Sequence, residues 1–299
     1  MEQSREQPFG YAQLEEQILA IKKKGGPVKA FTIGKTVLGR NIYALGMGKL
    51  RQAALMVGAT HGLEWVTSRL LMMFAGELME ALEEGKSLCA VDPRKVEETR
   101  GLIIVPMLNP DGVEIAQHGA KGCMHLAKRI YEICDGHFEK WQANARGVDL
   151  NHNFDAGWDI LKQMEISYDI LKPAPTRFGG HRPMSEPETK AIAQLISSFD
   201  VKTLYSFHSQ GEEIYYHYGP NTPHQSKLMA QILASSSGYT LSEPEGIASH
   251  GGLKDYFIQK YSRPGFTIEV GKGRNPLPDS DAPAIYEKIR EMLTLAMIL

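Results

Sequence analysis

The sequence has little cysteine, little net charge and no long apolar run. Its three cysteines, Cys89, Cys123 and Cys134, are too few for a disulfide framework, and none belongs to a CxxC pair that could bind zinc. With 33 basic and 35 acidic side chains the formal charge is −2, which does not suit a nucleic-acid partner. No apolar stretch approaches the roughly 20 residues that span a bilayer, and residues 1–17 lack the pattern of a secretory signal. We therefore expect a cytoplasmic protein without membrane contact.

What is present is typical of a globular chain, with 42% apolar and 23% charged residues. Apolar runs of strand length occur at residues 53–59, 101–108, 201–207 and 265–270. Helical patterns run from Tyr11 to the glycines at 25 and 26, over residues 66–84, from the capping-box pair Ser185 and Glu188 onward, and over residues 285–299. We predict a hairpin over residues 31–48 and a turn over residues 109–112.

Strands that alternate with helices predict an α/β fold, in which helices flank both faces of a mostly parallel, twisted mixed sheet. The Pro- and Gly-rich segment 172–187 is the best linker candidate, but it is short and lies between core elements. We therefore expect residues 1–299 to form one domain. Ligand sites in such sheets gather beyond the carboxyl ends of the strands, and His61, His208 and Glu269 all fall there.

A catalytic zinc site takes three protein ligands and leaves a fourth position open, and His61, Glu64 and His208 suit such a site. His61 and Glu64 lie three residues apart in HGLEW, where a loop that enters a helix can turn both side chains to one point. His208 ends another strand, in SFHSQG. An HxxE pattern alone also occurs by chance around an ordinary histidine. Glu269 lies in the apolar run FTIEVG, where an acid is costly unless it is paired in a salt bridge or functional.

Five segments in order resemble the M14, or funnelin, family of zinc carboxypeptidases: HGLEW, NPDGVE, GVDLNHNFDAGW, SFHSQG and FTIEVG. The resemblance implies a carboxypeptidase-like catalytic domain that acts on a small peptide and carries one Zn²⁺ per chain. It implies that His61, Glu64 and His208 hold the metal and that Glu269 is the general base. It also implies that Asp149 accepts a hydrogen bond from His61, the alternative being a loop-capping aspartate.

Departures from the family pattern bear on the substrate. The family has Asn-Arg where this chain has Asn151 and His152, and histidine cannot reproduce the two-pronged contact of arginine with a terminal carboxylate. The family's oxyanion arginine falls near Gln142, and Arg146 is a candidate catalytic substitute unless it is a surface arginine. Lys254 falls where the family's specificity pocket is lined, and it would suit a carboxylate on the leaving group unless it is an ordinary exposed lysine. We take Gln142, Asn151, His152 and Lys254 as candidate substrate-binding residues.

The family's mobile active-site tyrosine falls at Ile247, so we expect the chain to lack it. Tyr239 and Tyr256 are the tyrosines nearby in the sequence. The remaining histidines have no ligand spacing with one another, and we expect them to be surface or core residues.

Three functions are open at this point. TVLGR, WQANARGVDLN, SEPET, HSQGEEIYY and GGLKDYF resemble a bacterial branch that cleaves γ-D-glutamyl bonds to diamino acids such as meso-diaminopimelate. An enzyme with that activity would cleave muropeptide fragments during cell-wall recycling. The second is a carboxypeptidase or deacylase that acts on α-linked or acylated amino acids. The third is a silent binding module, which the complete set of ligands and base argues against. The sequence predicts no oligomeric state.

Overall fold

The computed structural model describes residues 8–299; residues 1–7, part of the segment predicted not to be a secretory signal, lie outside this range. Eight strands of the described chain form one sheet. Their bounds are β1 (Lys29–Lys35), β2 (Asn41–Gly48), β3 (Ala54–Val57), β4 (Gly101–Val105), β5 (Thr203–His208), β6 (Glu213–Tyr215), β7 (Thr240–Leu241) and β8 (Gly265–Glu269).

The strands lie in the order β1-β2-β4-β3-β5-β8-β6-β7. The four central strands, β4, β3, β5 and β8, are parallel to one another. The hairpin of β1 and β2 adds to β4 in the antiparallel direction, and β6 runs antiparallel to β8 on the other side. The predicted α/β fold with a mostly parallel core in a mixed sheet is therefore confirmed. Its antiparallel strands lie toward the two edges.

Helices cover both faces of the sheet, and none of those in the described chain is long and apolar enough to cross a membrane. Their bounds are α1 (Tyr11–Lys24), α2 (Trp65–Glu84), α3 (Pro93–Thr99), α4 (Pro110–His118), α5 (Ala127–Cys134), α6 (Trp158–Ser167), α7 (Pro187–Phe199), α8 (Gln225–Ser237), α9 (Leu253–Tyr261) and α10 (Ala282–Ala296). One core joins the sheet to α1, α2, α8 and α10, and a second joins it to α7 and α9. Successive strand residues point to opposite faces, so Leu55 and Met56 belong to different cores.

Two local predictions were wrong. The expected turn at residues 109–112 is the first turn of α4, because Asn109 caps that helix by accepting the Gly112 N–H at 2.9 Å. The expected capping box at Ser185 does not form, since α7 begins one residue later and the Ser185 hydroxyl donates to Glu186 Oε1. Asn153 Oδ1 accepts the Glu186 N–H instead, from a distant loop.

Segment 172–187 packs against the loops at the carboxyl edge of the central strands. The backbone N–H groups of Gln142 and Ala143 both donate to the Pro175 carbonyl at 2.9 Å. Further along, the Asp149 N–H donates to the Phe178 carbonyl at 2.8 Å. The segment thus holds the loop that carries Asp149 against the end of the sheet.

Candidate active site

Two neighbouring strands end side by side at the carboxyl edge of the sheet. His208 is the last residue of β5 and Glu269 the last of β8, and the two are register partners. Register partners on adjacent strands project from the same face, so both side chains are delivered to one side of the sheet.

A tight loop after β3 delivers His61 and Glu64. Thr67 fixes this loop, because its Oγ1 accepts the Ala59 N–H at 2.7 Å and donates to the Glu64 carbonyl at 2.8 Å. Gly62 is required by close packing, since a Cβ there would lie 2.5 Å from a backbone carbonyl oxygen of α4. Glu64 is thereby placed directly before α2.

Three side chains from these elements meet at one point. The Nδ1 atoms of His61 and His208 each lie 3.0 Å from a different carboxylate oxygen of Glu64, and they are 3.3 Å apart. Tetrahedral ligands about 2.0–2.1 Å from zinc lie about 3.3 Å from one another, so this spacing fits the ion. No other group of three His, Cys, Asp or Glu side chains within residues 8–299 converges in this way.

The outward nitrogen of each histidine also has a partner. His61 Nε2 lies 3.1 Å from Asp149 Oδ1, and His208 Nε2 lies 3.1 Å from the hydroxyl of Ser206. The Asp149 carboxylate only accepts, so it favours a proton on His61 Nε2 and leaves Nδ1 of that ring free for a metal. The Ser206 hydroxyl can accept a proton from His208 Nε2 in the same way when Nδ1 of His208 binds a metal. Ser206 was missed in the sequence, although its position two residues before His208 puts it on the same strand face.

Carboxylates dominate the electrostatics where His61, Glu64 and His208 meet. Burial alone would lower the pKa of His61, but the charges of Glu64 and Asp149 outweigh it and hold that pKa well above its ordinary value. Burial alone would raise the pKa of Glu64, yet His61 and His208 lower it to about 2. A field that favours a proton on His61 also favours a metal cation.

The surroundings of Glu269 shift its pKa in the opposite direction to that of Glu64. Burial first, and then the negative charge of Glu64, raise the pKa of Glu269 well above its usual range. A carboxylate with raised proton affinity next to a metal site is suited to general-base work.

His61, His208 and Glu269 border a cavity of about 340 Å³. Four predicted substrate-binding residues also border it: Gln142, Asn151, His152 and Lys254. His152 Nδ1 donates to the Arg177 carbonyl at 3.0 Å, which leaves Nε2 as an acceptor while the ring is neutral. Asn151 Oδ1 is occupied by the Leu253 N–H at 3.1 Å.

Comparison with known proteins assigns this arrangement to a family. A sequence profile described as zinc carboxypeptidase matches residues 19–292, a range that contains the whole site. The chain belongs to the M14 zinc carboxypeptidase family. It is therefore a zinc metallopeptidase, and His61, Glu64 and His208 are the group in its described part that could hold the zinc ion.

Two relatives match nearly the full chain. Gamma-D-glutamyl-L-diamino acid endopeptidase 1 of Lysinibacillus sphaericus is 31% identical over 286 residues, which cover 95% of this chain and 70% of that protein. The uncharacterized protein YqgT of Bacillus subtilis is 31% identical over 298 residues, which cover 98% of this chain and 78% of that protein.

Solved structures share the fold. Thrombin activatable fibrinolysis inhibitor matches with a TM-score of 0.74 at 19% identity, over 100% of this chain and 75% of that one. Murein-tripeptide amidase MpaA from Escherichia coli O157 matches with a TM-score of 0.54 at 19% identity, over 90% of this chain and 91% of that one. These likenesses confirm the carboxypeptidase-like architecture expected of an M14 chain.

The structure does not bring Arg146 to the cavity of this M14 site. Its side chain is 49% exposed, and Nη1 lies 3.4 Å from Glu186 Oε2. Asn144 causes this placement, because its Oδ1 accepts the Arg146 N–H while its amide donates to Glu186 and Glu188. The expectation that Arg146 faces the oxyanion therefore disagrees with its position.

Gln142 occupies the cavity wall instead. Its Oε1 accepts the hydroxyl proton of Thr176, which orients the side-chain amide and leaves Nε2 as the donor for a ligand. Taking Trp141 as the anchor had placed the family's oxyanion arginine near Gln142. The sequence did not show which way the Gln142 side chain turns.

The tyrosines of the cavity are not those nearest in sequence to the expected position. Ile247 borders the cavity where the family tyrosine was sought, and the tyrosines that border it are Tyr168, directly after α6, and Tyr215, at the end of β6. Tyr239 and Tyr256 are buried elsewhere, with their hydroxyls bound to a backbone N–H and a lysine.

Arg177 was also missed by the sequence analysis. It borders the cavity with an exposed side chain, and its backbone N–H donates to Asp149 Oδ2 at 2.8 Å. An arginine in an irregular loop has no periodicity that would single it out, so only the fold shows its nearness to the metal ligands.

Proposed function

We propose that this M14 peptidase hydrolyses the amide bond between γ-linked D-glutamate and a diamino acid in small peptidoglycan fragments, such as those of cell-wall recycling. The observation that carries the proposal is the 31% identity, over 95% of the chain, to an enzyme whose name states this activity. The cavity supports it, because His152 stands where an ordinary carboxypeptidase has arginine, while Arg177 and Lys254 border other parts of the wall.

The proposed chemistry divides among residues that meet at the sheet edge. His61, Glu64 and His208 would hold zinc, which when bound supplies a Lewis acid for the scissile carbonyl and acidifies water. Glu269 takes a proton from the attacking water and later passes it to the leaving amine. Asp149 keeps His61 in the tautomer that leaves Nδ1 free.

Two further groups have roles on the acyl side of the bond. Gln142 Nε2 donates to the carbonyl oxygen as negative charge develops there, because Thr176 fixes the other end of that amide. A γ-linked D-glutamate also carries a free α-carboxylate, and Arg177 at the cavity wall is a cation available to pair with it.

Parallel assays of zinc-loaded protein on two isomeric peptides test the proposal. L-Ala-γ-D-Glu-meso-diaminopimelate is expected to release diaminopimelate, whereas the α-linked isomer is expected to react far more slowly. Faster cleavage of the α-linked isomer would instead favour the carboxypeptidase or deacylase function.

Glu269→Gln supplies the control for the chemistry. The variant is expected to keep its zinc, since residue 269 is not one of the three ligands, and to lose about 10²- to 10⁴-fold in kcat. A variant with parental kcat would show that the base has been assigned to the wrong residue.

A further inference from the structure

A lysine and an aspartate at the start of α9 form an ion pair in the wall of the active-site cavity. Lys254 is 4% exposed and Asp255 is 3% exposed, yet both border the cavity that Glu269 also borders. Lys254 Nζ donates to Asp255 Oδ1 and, at 2.9 Å, to the carbonyl of His217. The charges are therefore nearly out of solvent and still next to the place where a substrate would lie.

A structural role accounts for only part of this pair. Asp255 Oδ2 accepts the Gly252 N–H at 3.3 Å, which caps α9, but that contact does not require a buried lysine beside it. Taking two charges out of water is costly, and a buried ion pair is weak evidence of stabilisation. Buried charges that border a catalytic cavity are instead candidates for function.

The pair is also held at a fixed place relative to the metal ligands. The Leu253 N–H at the start of α9 donates to Asn151 Oδ1 at 3.1 Å. Asn151 in turn lies two residues after Asp149, the partner of His61. The first turn of α9 is thus tied to the loop that orients the metal ligand.

Both members of the pair have hydrogen-bonding capacity left over. An ammonium has three N–H donors, and two acceptors within residues 8–299 lie in reach of Lys254 Nζ. A carboxylate offers about four acceptor sites, and Asp255 uses two of them. A ligand with a carboxylate and an ammonium close together could use what remains on both residues.

Other charges around the cavity restrict where such a ligand could place its carboxylate. The acids that border the cavity would repel an anion, and they are Asp149, Glu245, Asp255 and Glu269. The lysine and arginine that border it are Lys254 and Arg177. Arg177 is exposed while Lys254 is buried. A carboxylate bound deep in the cavity, away from solvent, would therefore lie at Lys254.

We propose that Lys254 and Asp255 together bind the zwitterionic far end of a diamino dicarboxylic leaving group, Lys254 its carboxylate and Asp255 its ammonium. The inference rests on the proposed function, because it takes the released amine to be a diamino acid. Diaminopimelate has both groups at its far end, whereas lysine has the ammonium alone. The pair thus selects diaminopimelate-type peptides over lysine-type peptides.

The test compares kcat/KM for L-Ala-γ-D-Glu-meso-diaminopimelate and L-Ala-γ-D-Glu-L-Lys, which differ in the far carboxylate. A hydrogen bond to a charged group corresponds to about 10- to 100-fold in affinity, so the parent is expected to prefer the diaminopimelate peptide by that factor. Lys254→Met leaves Asp255 unpaired, and its preference is expected to turn toward the lysine peptide.

A double variant keeps the test sound if Lys254→Met alone fails to fold. Lys254→Met with Asp255→Asn removes both charges, and such neutral replacements of buried pairs are often tolerated. Its two kcat/KM values are expected to become about equal, with unchanged zinc content. The matched control is Lys202→Met with Asp200→Asn, which removes an exposed ion pair outside the cavity and is expected to keep the parental preference.

The outcomes separate this inference from the proposed function. A parent that cleaves both peptides equally, or a double variant that keeps the diaminopimelate preference, overturns the inference and leaves the function standing. If both activities of the double variant fall by the same factor, the pair is structural and the inference is overturned again. A parent that cleaves neither γ-linked peptide overturns both.

Discussion

At the scale of single residues, the metal-binding atoms are oriented by groups that are not themselves ligands. Asp149 illustrates this, because one of its oxygens contacts His61 Nε2 while the other accepts the Arg177 N–H. Burial would raise the pKa of Asp149, but its histidine neighbours and hydrogen bonds hold that pKa well below its usual range. This carboxylate is therefore charged at neutral pH.

Removing this charge is expected to weaken zinc binding. Asp149→Asn keeps the shape of the side chain but loses the charge that favours the Nε2–H tautomer of His61, so zinc affinity is expected to fall about 10- to 100-fold. Competition with a chromogenic chelator measures it. Asp135→Asn is the matched control, since Asp135 is exposed and is neither a ligand nor a residue that borders the cavity. Equal affinities for all three proteins would contradict the role of Asp149.

The oxyanion donor gives a second test at this scale. Gln142→Ala is expected to lower kcat about 10²-fold on the γ-linked peptide, because it removes the oriented amide from the cavity wall. Arg146→Ala is expected to leave kcat within about threefold, because that side chain lies outside the cavity. Steady-state kinetics of the two variants decide between the residues, and a larger loss for Arg146→Ala would restore the expectation from the sequence.

What the sequence could predict at this scale depends on how local each signal is. His61, Glu64, His208 and Glu269 were predictable because each lies in a short motif next to an apolar strand. Which way Arg146 turns was not predictable, since it depends on contacts of Asn144 with residues about 40 positions away.

At the scale of elements, the first turn of α7 joins two loops through a buried acid. Glu188 is 0% exposed, accepts the Val37 N–H at 3.1 Å, and accepts the Asn144 amide at 3.1 Å. It thus links the hairpin turn to the loop that leads to Asp149. Burial raises the pKa of Glu188 to about 8.

This raised pKa makes stability depend on pH in a defined direction. Below about pH 4.5 Glu188 is protonated in both the folded and the unfolded chain. Between there and about pH 8 the unfolded chain loses the proton while the folded chain keeps it, so the free energy of unfolding falls as pH rises. The slope from this one group is at most about 1.4 kcal/mol per pH unit.

Glu188→Gln is expected to remove that slope. Glutamine keeps an acceptor for the Val37 N–H but turns an NH₂ toward Asn144, which adds an offset that does not vary with pH. Urea unfolding of the parent and the variant at pH 5, 6.5 and 8 gives the difference in free energy of unfolding. That difference should shift steadily in favour of the variant as pH rises, and parallel curves would show that Glu188 is already ionised.

At the scale of the whole molecule, the site is a product of sheet order. The ligands come from the ends of β3 and β5, which are adjacent in space although about 145 residues lie between them in the chain. Parallel strands and C-terminal ligand positions were predictable from apolar runs alone. The two strands β6 and β7 and the helices around residues 93–134 were missed, because their short segments carry too little periodicity to distinguish them from loops.

Because zinc would join the loop after β3, the start of α2 and the end of β5, its removal is expected to affect both activity and stability. Chelation should abolish hydrolysis, and re-addition of zinc should restore it. A ligand at about 100 times its Kd adds about 2.7 kcal/mol to the free energy of unfolding, so chelation should lower the Tm by about 5 °C. Scanning fluorimetry with and without chelator measures the shift.

His208→Ala lacks one ligand and should show almost no shift, since it has little zinc to lose. An equal shift in His208→Ala would mean that the chelator acts elsewhere, whereas an unchanged Tm in the parent would mean that the three ligands do not join these elements through a metal.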